Sequence, residues 1–277
     1  MINNKKMIFL DLDGTLLDDQ KNVPEYNMSA IKEALKQGHK VIICTGRPLC
    51  SAKKQFPVLG MEGEGCYAIT YNGGLIYDIY NKKTLFKQTL PLEYVRYIFS
   101  KAKEHHIYMQ TYSDDAVLCH KDTKEGQDYS TRLKIDRSIV PDVFEILGDE
   151  EPCKTLAIAD GYNRKLLEDF RAVFADWSQG KVDIFFSCNE YLEFVPVGIS
   201  KGAGIRFLAD YLKIPIEDTI AVGDAENDIP MIEAAGLGVA MKNASDDIKK
   251  YADYITELNN NEGGVGEVIR KFMLKKV

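Results

Sequence analysis

The chain has 277 residues, a length near which a single hydrophobic core tends to divide, so we expect two domains. Its 45% of hydrophobic and 28% of charged residues are typical of a folded globular protein and exclude a disordered one. The formal net charge of −7 argues against nucleic acid and anionic membranes as partners, because such binders need a basic surface. We also expect a cytoplasmic protein with reduced cysteines, since no apolar run is long enough to span a membrane and the cysteines lack zinc-site spacing.

The first part of the chain alternates short apolar runs with amphipathic segments. This pattern predicts strands at residues 7–12, 40–44, 67–70 and 75–77 and helices at residues 25–37 and 49–59. A strand, a helix and a second uniformly apolar strand in this order are typical of a parallel sheet buried on both faces. The Asn72-Gly73-Gly74 segment is a turn signal between the third and fourth of these strands.

The pattern changes near residue 84 and changes back near residue 189. Between these positions, aromatic-rich strands at 107–110 and 183–186 are mixed with helices at 92–104 and 164–174, which favours a separate α+β unit. After residue 191 the α/β alternation returns, with helices at 201–212 and 227–235 and strands at 219–222 and 237–240. We therefore predict a doubly wound, Rossmann-like parallel-sheet core of residues 1–83 and 189–277, with an α+β cap of residues 84–188 inserted into it.

Two aspartates, Asp11 and Asp13, directly follow the first predicted strand in the segment Asp-Leu-Asp-Gly-Thr. Ligands of parallel α/β sheets bind beyond the carboxyl ends of the strands, and residues two apart in an extended segment face the same side. Two carboxylates brought together there need a compensating cation, and a metal ion would supply it. An isolated pair of this kind is more often a helix cap or a turn than a functional site.

Further polar segments follow the other strands predicted for the same sheet. Thr45 and Gly46 offer a hydroxyl and a backbone amide at the start of a helix, which suits a phosphate group. Residues 223–228 form the acidic segment Gly-Asp-Ala-Glu-Asn-Asp before another helix. Lys201 lies at a predicted helix start, where the helix dipole disfavours a cation unless an anion is near, so it is a candidate phosphate ligand. Each segment alone could be a cap or a turn, but their shared sheet edge favours a phosphate site.

Taken in order, these motifs resemble the haloacid-dehalogenase-like phosphatases, in particular the Cof-type subfamily with a large class IIB cap. The resemblance spans essentially the whole chain, because Asn72-Gly73, residues 240–244 and residues 262–265 are also similar to that subfamily. One departure is Glu262-Gly263-Gly264, which stands where Asp-Gly is usual. The resemblance implies a phosphatase that hydrolyses small phosphomonoesters, such as sugar phosphates or related metabolites, with a cap that provides substrate selectivity.

The resemblance also implies a role for each motif residue. Asp11 would be the nucleophile that forms an aspartyl phosphate, and Asp13 would be the general acid and base. The Mg²⁺ ligands would be the Asp11 carboxylate, the Asp13 backbone carbonyl and Asp224, with Asp228 binding the ion either directly or through another ligand. The phosphoryl oxygens would be held by the backbone amides of Leu12 and Gly46, the Thr45 hydroxyl, Lys201 and Asn227.

Two alternatives remain open at this stage. A phosphomutase of the phosphomannomutase type needs clustered cations in the cap, whereas the cations of residues 121–137 are interspersed with acids, which favours a phosphatase. A regulator that binds a phosphometabolite without turnover is disfavoured because every catalytic position is present. The physiological substrate and the oligomeric state are not predicted.

Overall fold

The computed structural model describes residues 5–274, which form two compact units. The larger unit comprises the chain up to Gly46, Ala52–Phe86 and the chain from Ser200 onward, and the smaller comprises Arg47–Ser51 and Lys87–Ile199. Of the helices in residues 5–274, none is long and apolar enough to cross a membrane.

The chain forms strands and helices throughout these residues. The strands are β1 (Met7–Leu10), β2 (Lys40–Cys44), β3 (Cys66–Thr70), β4 (Leu75–Asp78), β5 (Lys83–Lys87), β6 (Tyr108–Tyr112), β7 (Ala116–Cys119), β8 (Asp136–Ile139), β9 (Thr155–Ile158), β10 (Val182–Cys188), β11 (Tyr191–Pro196), β12 (Thr219–Gly223), β13 (Leu237–Ala240) and β14 (Tyr254–Ile255). The helices are α1 (Glu25–Lys36), α2 (Leu49–Lys53), α3 (Leu92–Glu104), α4 (Lys124–Leu133), α5 (Val143–Leu147), α6 (Arg164–Ala172), α7 (Lys201–Leu212), α8 (Ile229–Ala234), α9 (Asp246–Lys249) and α10 (Gly264–Phe272).

The larger unit is built on an eight-stranded sheet in the order β14-β13-β12-β1-β2-β3-β4-β5. The strands from β14 to β3 are parallel, and β4 returns antiparallel to β3. All four residues of β1 are fully buried, as expected for a parallel strand covered on both faces. The α/β fold with a parallel, Rossmann-like sheet is therefore confirmed.

The pairing of β1 brings the candidate site residues to one edge of this sheet. Leu10, the last residue of β1, pairs with Val222 of β12 on one side and with Ile43 of β2 on the other. Because the three strands are parallel and in register there, the residues that follow them emerge at the same carboxyl edge. The aspartate pair Asp11 and Asp13 after β1, the acidic segment after β12 and the Thr45-Gly46 segment after β2 therefore lie at this edge.

The smaller unit contains a six-stranded sheet in the order β10-β11-β9-β6-β7-β8. The pairs are antiparallel except for β7 and β8. Met109 of β6 packs with apolar residues of α3 and α6, whereas the neighbouring Gln110 donates to the Tyr112 hydroxyl at 3.0 Å. The sheet thus has one apolar face covered by these helices and a hydrogen-bonded polar network on β6.

Strand β11 shows that the second boundary between the two units lies later in the chain than predicted. Residues from 189 onward were expected in the core, but Tyr191–Pro196 pairs with β10 and β9 of the smaller sheet, and this unit extends to Ile199. The strand is difficult to recognise because Glu193 interrupts its apolar run. Glu193 is nevertheless 2% exposed, and its Oε2 lies 2.8 Å from Nζ of the equally buried Lys154. A buried ion partner far along the chain thus makes an acid compatible with a fully buried strand.

Helix α2 ends earlier than expected, at Lys53 rather than at residue 59. Pro57 explains the difference, because a proline ring clashes with the carbonyl four residues earlier, which here belongs to Lys53. The chain continues in turns, with the Gln55 amide donating to the Ala52 carbonyl at 2.9 Å. Helices α3 and α7, by contrast, have the predicted bounds.

Candidate active site

The centre of the site is a contact between Lys201 and two aspartates. Ser200 caps α7, with its side chain accepting from the Ala203 amide at 3.1 Å, and Lys201 is the first helical residue. The Lys201 side chain is fully buried, and its Nζ lies 2.5 Å from Oδ1 of both Asp11 and Asp228. An anion was expected beside Lys201 because the helix dipole disfavours a cation at a helix start. The carboxylates of Asp11 and Asp228 supply this negative charge.

Three carboxylates converge at this point. One oxygen from each of Asp11, Asp224 and Asp228 lies within 4.8 Å of the others. The second Asp228 oxygen, Oδ2, accepts from the backbone amides of Asp224 and Ala225 at 2.9 and 3.0 Å. The Thr15 hydroxyl donates to Oδ1 of Asp224 at 2.6 Å. These hydrogen bonds hold the cluster in place but do not neutralise its negative charge. Three carboxylates therefore lie close to a single ammonium group.

The electrostatics of the cluster reflect this imbalance. Burial raises the pKa of Asp11 to about 7, against the opposing effect of Lys201. Desolvation and the charges of Asp228 and Asp11 raise the pKa of Asp224 well above its usual range. Burial disfavours the charge of Lys201, but Asp11 and Asp228 outweigh it and raise the pKa of the ammonium group. Lys201 therefore stays cationic, while the acids need a further positive charge to ionise together.

The donor set fits a hard divalent cation. It consists of carboxylate oxygens close enough to share one ion, and Mg²⁺ is bound in proteins by such oxygens together with waters. Gly14 keeps the neighbouring space open, because its φ of +84° suits glycine and a Cβ there would overlap the Asp224 carboxylate. The buried, mutually repelling acids thus supply the physical reason for a cation at this position.

Asp13 does not join the carboxylate cluster. Its side chain is half-buried and its Oδ1 accepts from Nζ of Lys21 at 2.7 Å. The general acid and base expected from the sequence is therefore close in the chain to Asp11 but separately held by a cation. The metal role expected of Asp13 concerns its backbone carbonyl and stays a prediction.

The candidate phosphate ligands Thr45, Gly46 and Asn227 are linked through Asn72. The backbone N–H of Asn72 donates to the Thr45 carbonyl at 3.1 Å, and Nδ2 of Asn227 donates to Oδ1 of Asn72 at 3.0 Å. Thr45 is 2% exposed and follows β2, and its backbone amide donates to β3. Leu12, expected to act through its backbone amide, has a fully buried side chain.

Several supporting residues were not assigned a role from the sequence. Thr15 belongs to the first motif, so its bond to Asp224 could have been found there, but the Lys21 contact has no recognisable spacing. Asn243 donates to the Gly14 carbonyl at 2.8 Å, and Asn260 donates to the Leu17 carbonyl at 3.2 Å. These two asparagines lie more than 200 positions from their partners, and only the folded chain brings them together.

Comparisons with known proteins bear on the family of the chain. A family model for haloacid dehalogenase-like hydrolases matches residues 8–269. The chain is 32% identical to the 5-amino-6-(5-phospho-D-ribitylamino)uracil phosphatase YcsE of Bacillus subtilis, over 97% of this chain and 96% of that protein. It is 29% identical to the phosphatase YwpJ of the same organism, over 97% and 100%. A crystal structure of a haloacid dehalogenase-like hydrolase from Bacteroides thetaiotaomicron superposes with a TM-score of 0.88 at 31% identity, covering 97% of this chain and all of that one.

Proposed function

Since the chain belongs to the haloacid dehalogenase-like hydrolases, of the Cof type, we propose that it is a Mg²⁺-dependent phosphatase of small phosphomonoesters. The observation that carries the proposal is the convergence of Asp11, Asp224 and Asp228 around Lys201 at the carboxyl edge of β1 and β12. A buried site with excess negative charge requires a cation, and the cation in turn attracts a phosphate dianion.

Asp11 is the nucleophile in the proposed reaction. One of its carboxylate oxygens attacks phosphorus, the ester P–O bond breaks, and an aspartyl phosphate forms. Lys201 fixes the direction of this carboxylate through its contact with Oδ1. Asp13 donates a proton to the leaving oxygen and then takes one from the water that hydrolyses the aspartyl phosphate. Splitting the displacement into two steps lets each proceed over a lower barrier.

The phosphoryl oxygens are held by donors from three segments. We assign the backbone amides of Leu12 and Gly46, the Thr45 hydroxyl and the side chains of Lys201 and Asn227. Mg²⁺ would be held by Asp11, the Asp13 carbonyl, Asp224 and Asp228, and it would supply charge neutralisation between nucleophile and phosphate.

We further propose that the smaller unit provides substrate selectivity. It carries fixed polar groups on its sheet, including the Tyr112 hydroxyl, 2.6 Å from the Tyr129 hydroxyl. The Tyr129 ring contacts Tyr191 with centroids 5.2 Å apart, and the exposed guanidinium of Arg132 lies 4.8 Å from the Tyr191 ring centre. An exposed cation over a fixed aromatic network is suited to discriminate between polar leaving groups.

A phosphate-release screen tests the proposal. Purified protein is incubated with sugar phosphates, nucleotide monophosphates and 5-amino-6-(5-phospho-D-ribitylamino)uracil, with and without Mg²⁺, and inorganic phosphate is measured. We expect Mg²⁺-dependent release from at least one ester, and Asp11→Asn to abolish it while far-UV circular dichroism stays unchanged. Isomerisation without phosphate release would instead indicate a mutase. Binding of an ester without turnover would indicate a regulator.

A further inference from the structure

We propose that Asn72 is an additional phosphate-binding residue, whose Nδ2 donates to a phosphoryl oxygen while its Oδ1 holds Asn227. This inference rests on the proposed phosphatase function and adds a ligand that the sequence motifs did not assign. The sequence indicated a turn at this position and a similarity to the Cof-type subfamily, without a role for the side chain. Four observations on the turn and its surroundings carry the assignment.

Asn72 occupies a strained but well-fixed position directly after β3. It lies in the single-turn 3₁₀ segment Tyr71–Gly73, is 1% exposed, and has a φ of 57° in the left-handed region. Asparagine tolerates this region better than other side chains apart from glycine. Its backbone amide bonds to the Thr45 carbonyl, so the turn is attached to the end of β2 as well as to β3.

The Asn72 amide group lies against Gly46. A Cβ built on Gly46 would be 2.9 Å from Oδ1 and 3.2 Å from Nδ2 of Asn72, which is closer than ordinary contacts. Glycine at position 46 therefore lets the two groups approach, and the Asn72 side chain lies beside the backbone segment that we assign to phosphate. Its Oδ1 at the same time accepts from Asn227.

The next residue extends the contact to the third phosphate-binding segment. Gly73 has a φ of +112°, and a Cβ there would overlap the carbonyl of Ser200, the residue before Lys201. One turn of three residues thus touches the Thr-Gly segment, Asn227 and the start of α7. These are the segments that carry most of the proposed phosphate ligands.

The decisive observation is an unused donor. Nδ2 of Asn72 is buried and has no hydrogen-bond partner among residues 5–274. Buried donors are nearly always paired, because leaving one unpaired is unfavourable. The other buried side-chain nitrogens and oxygens without a hydrogen-bond partner in this part of the chain lie on the smaller unit or on α10, at Arg137, Thr155, Glu193 and Arg270, and the Glu193 atom is the one in the ion pair with Lys154. A phosphoryl oxygen beside Gly46 would give Nδ2 the acceptor it lacks.

A plain structural role makes a different prediction. Asparagine often occupies left-handed turns only because its backbone tolerates them. Asn72→Gly keeps the backbone conformation and removes the amide group, so a purely structural Asn72 could be replaced with no effect on phosphate affinity. Asn72→Asp keeps the size and the acceptor for Asn227 but replaces the donor with a negative charge.

The experiment measures the dissociation constant of inorganic phosphate by ³¹P NMR titration in the presence of Mg²⁺. We expect affinity to fall about ten- to a hundredfold in Asn72→Gly and further in Asn72→Asp, as for loss of a hydrogen bond to a charged group. Lys82→Gly is the matched control, because Lys82 is an exposed residue with a φ of 52° in another turn of the same unit, and it should bind phosphate as the wild type does. In kinetic assays KM should rise more than kcat falls.

A double substitution separates direct contact from support of Asn227. If Nδ2 binds phosphate itself, Asn72→Gly with Asn227→Ala loses more affinity than Asn227→Ala alone. Equal loss would overturn the proposal, as would a folded Asn72→Gly with an affinity within about twofold of wild type. If circular dichroism shows that Asn72→Gly does not fold, the near-isosteric Asn72→Asp is used for the test. Unchanged phosphate affinity in Asn72→Asp would refute the assignment. Phosphate binding needs no turnover, so these results stand even if the ester screen fails.

Discussion

Replacing Lys201 with methionine is the most informative perturbation of the site. Methionine has a similar length and fits a buried position, but it removes the charge that faces Asp11 and Asp228. Removing one partner of a buried ion pair costs about 3–5 kcal/mol, because the remaining charge is left uncompensated. Here two carboxylates lose their partner, and Asp228 is fully buried, so we expect a loss at the upper end of that range in metal-free protein.

The loss should depend on pH in a defined direction. The pKa of Asp11 is about 7 in the folded protein, above the 3.8 of the unfolded chain, so the folded state binds this proton more tightly. The free energy of unfolding therefore falls as the pH rises from 3.8 to about 7. Lys201 opposes this rise, and without it the folded pKa of Asp11 moves higher still. The contribution of Asp11 to this loss of stability therefore ends near pH 7 in the wild type, whereas in Lys201→Met it continues to higher pH. The difference between them should be larger at about pH 8 than at about pH 6.

The assay is urea denaturation followed by far-UV circular dichroism, in chelator and in excess Mg²⁺. Mg²⁺ should restore part of the stability of Lys201→Met, because a bound cation replaces the missing charge. Lys213→Met is the control, since Lys213 lies at the end of the same helix and pairs with Asp210 at 3.0 Å on the surface, where such pairs contribute little. A loss below about 1 kcal/mol for Lys201→Met near pH 8 would refute the reasoning that Lys201 compensates buried carboxylates.

Three further predictions concern catalysis and selectivity. Asp13→Asn should lower kcat by a factor of roughly 10²–10⁴ through loss of proton transfer, and an unchanged kcat would make Asp13 a structural residue. Chelation of divalent metal should abolish phosphate release and Mg²⁺ should restore it, with Ca²⁺ a poor substitute because its coordination is larger and looser; full activity in excess chelator would contradict the metal assignment. Arg132→Ala should change the ratio of kcat/KM values between esters at unchanged Mg²⁺ dependence, whereas the exposed Arg171 of α6 serves as a control whose replacement leaves the ratio unaltered.

The elements that the sequence predicted well are those whose pattern is local. Strand β1 is a continuous apolar run, and α7 has a Ser200 cap followed by an apolar face, so both are visible in a short window. Strand β11 was assigned to the wrong unit although its partner β10 directly precedes it, because its other partner strand, β9, and the ion partner of Glu193 lie elsewhere in the chain. Local patterns identify the type of an element, while pairing in space decides the sheet to which it belongs.

The same distinction applies to the site. The motifs predicted that Asp11, Asp224 and Asp228 would meet, because parallel strands in register send their ends to one edge, and the structure brings one oxygen of each within 4.8 Å of the others. The helix-start argument predicted an anion beside Lys201, without identifying it as two aspartates. The bonds from Asn243 and Asn260 to the loop after β1 could not be predicted, since no local spacing relates residues so distant in the chain.

The two buried lysines show why charge balance, rather than burial, distinguishes the site. Lys154 faces Glu193 in the smaller unit, one cation against one anion, and that pair needs no further partner to be neutral. Lys201 contacts two carboxylates of a cluster of three, so ionising all three leaves an excess of two negative charges. A protein that only required a stable core would gain by replacing one of these acids with an apolar residue. This excess equals the charge of one divalent cation in magnitude and is opposite to it in sign, and it therefore marks this cluster as the place where the chain gives up stability for binding.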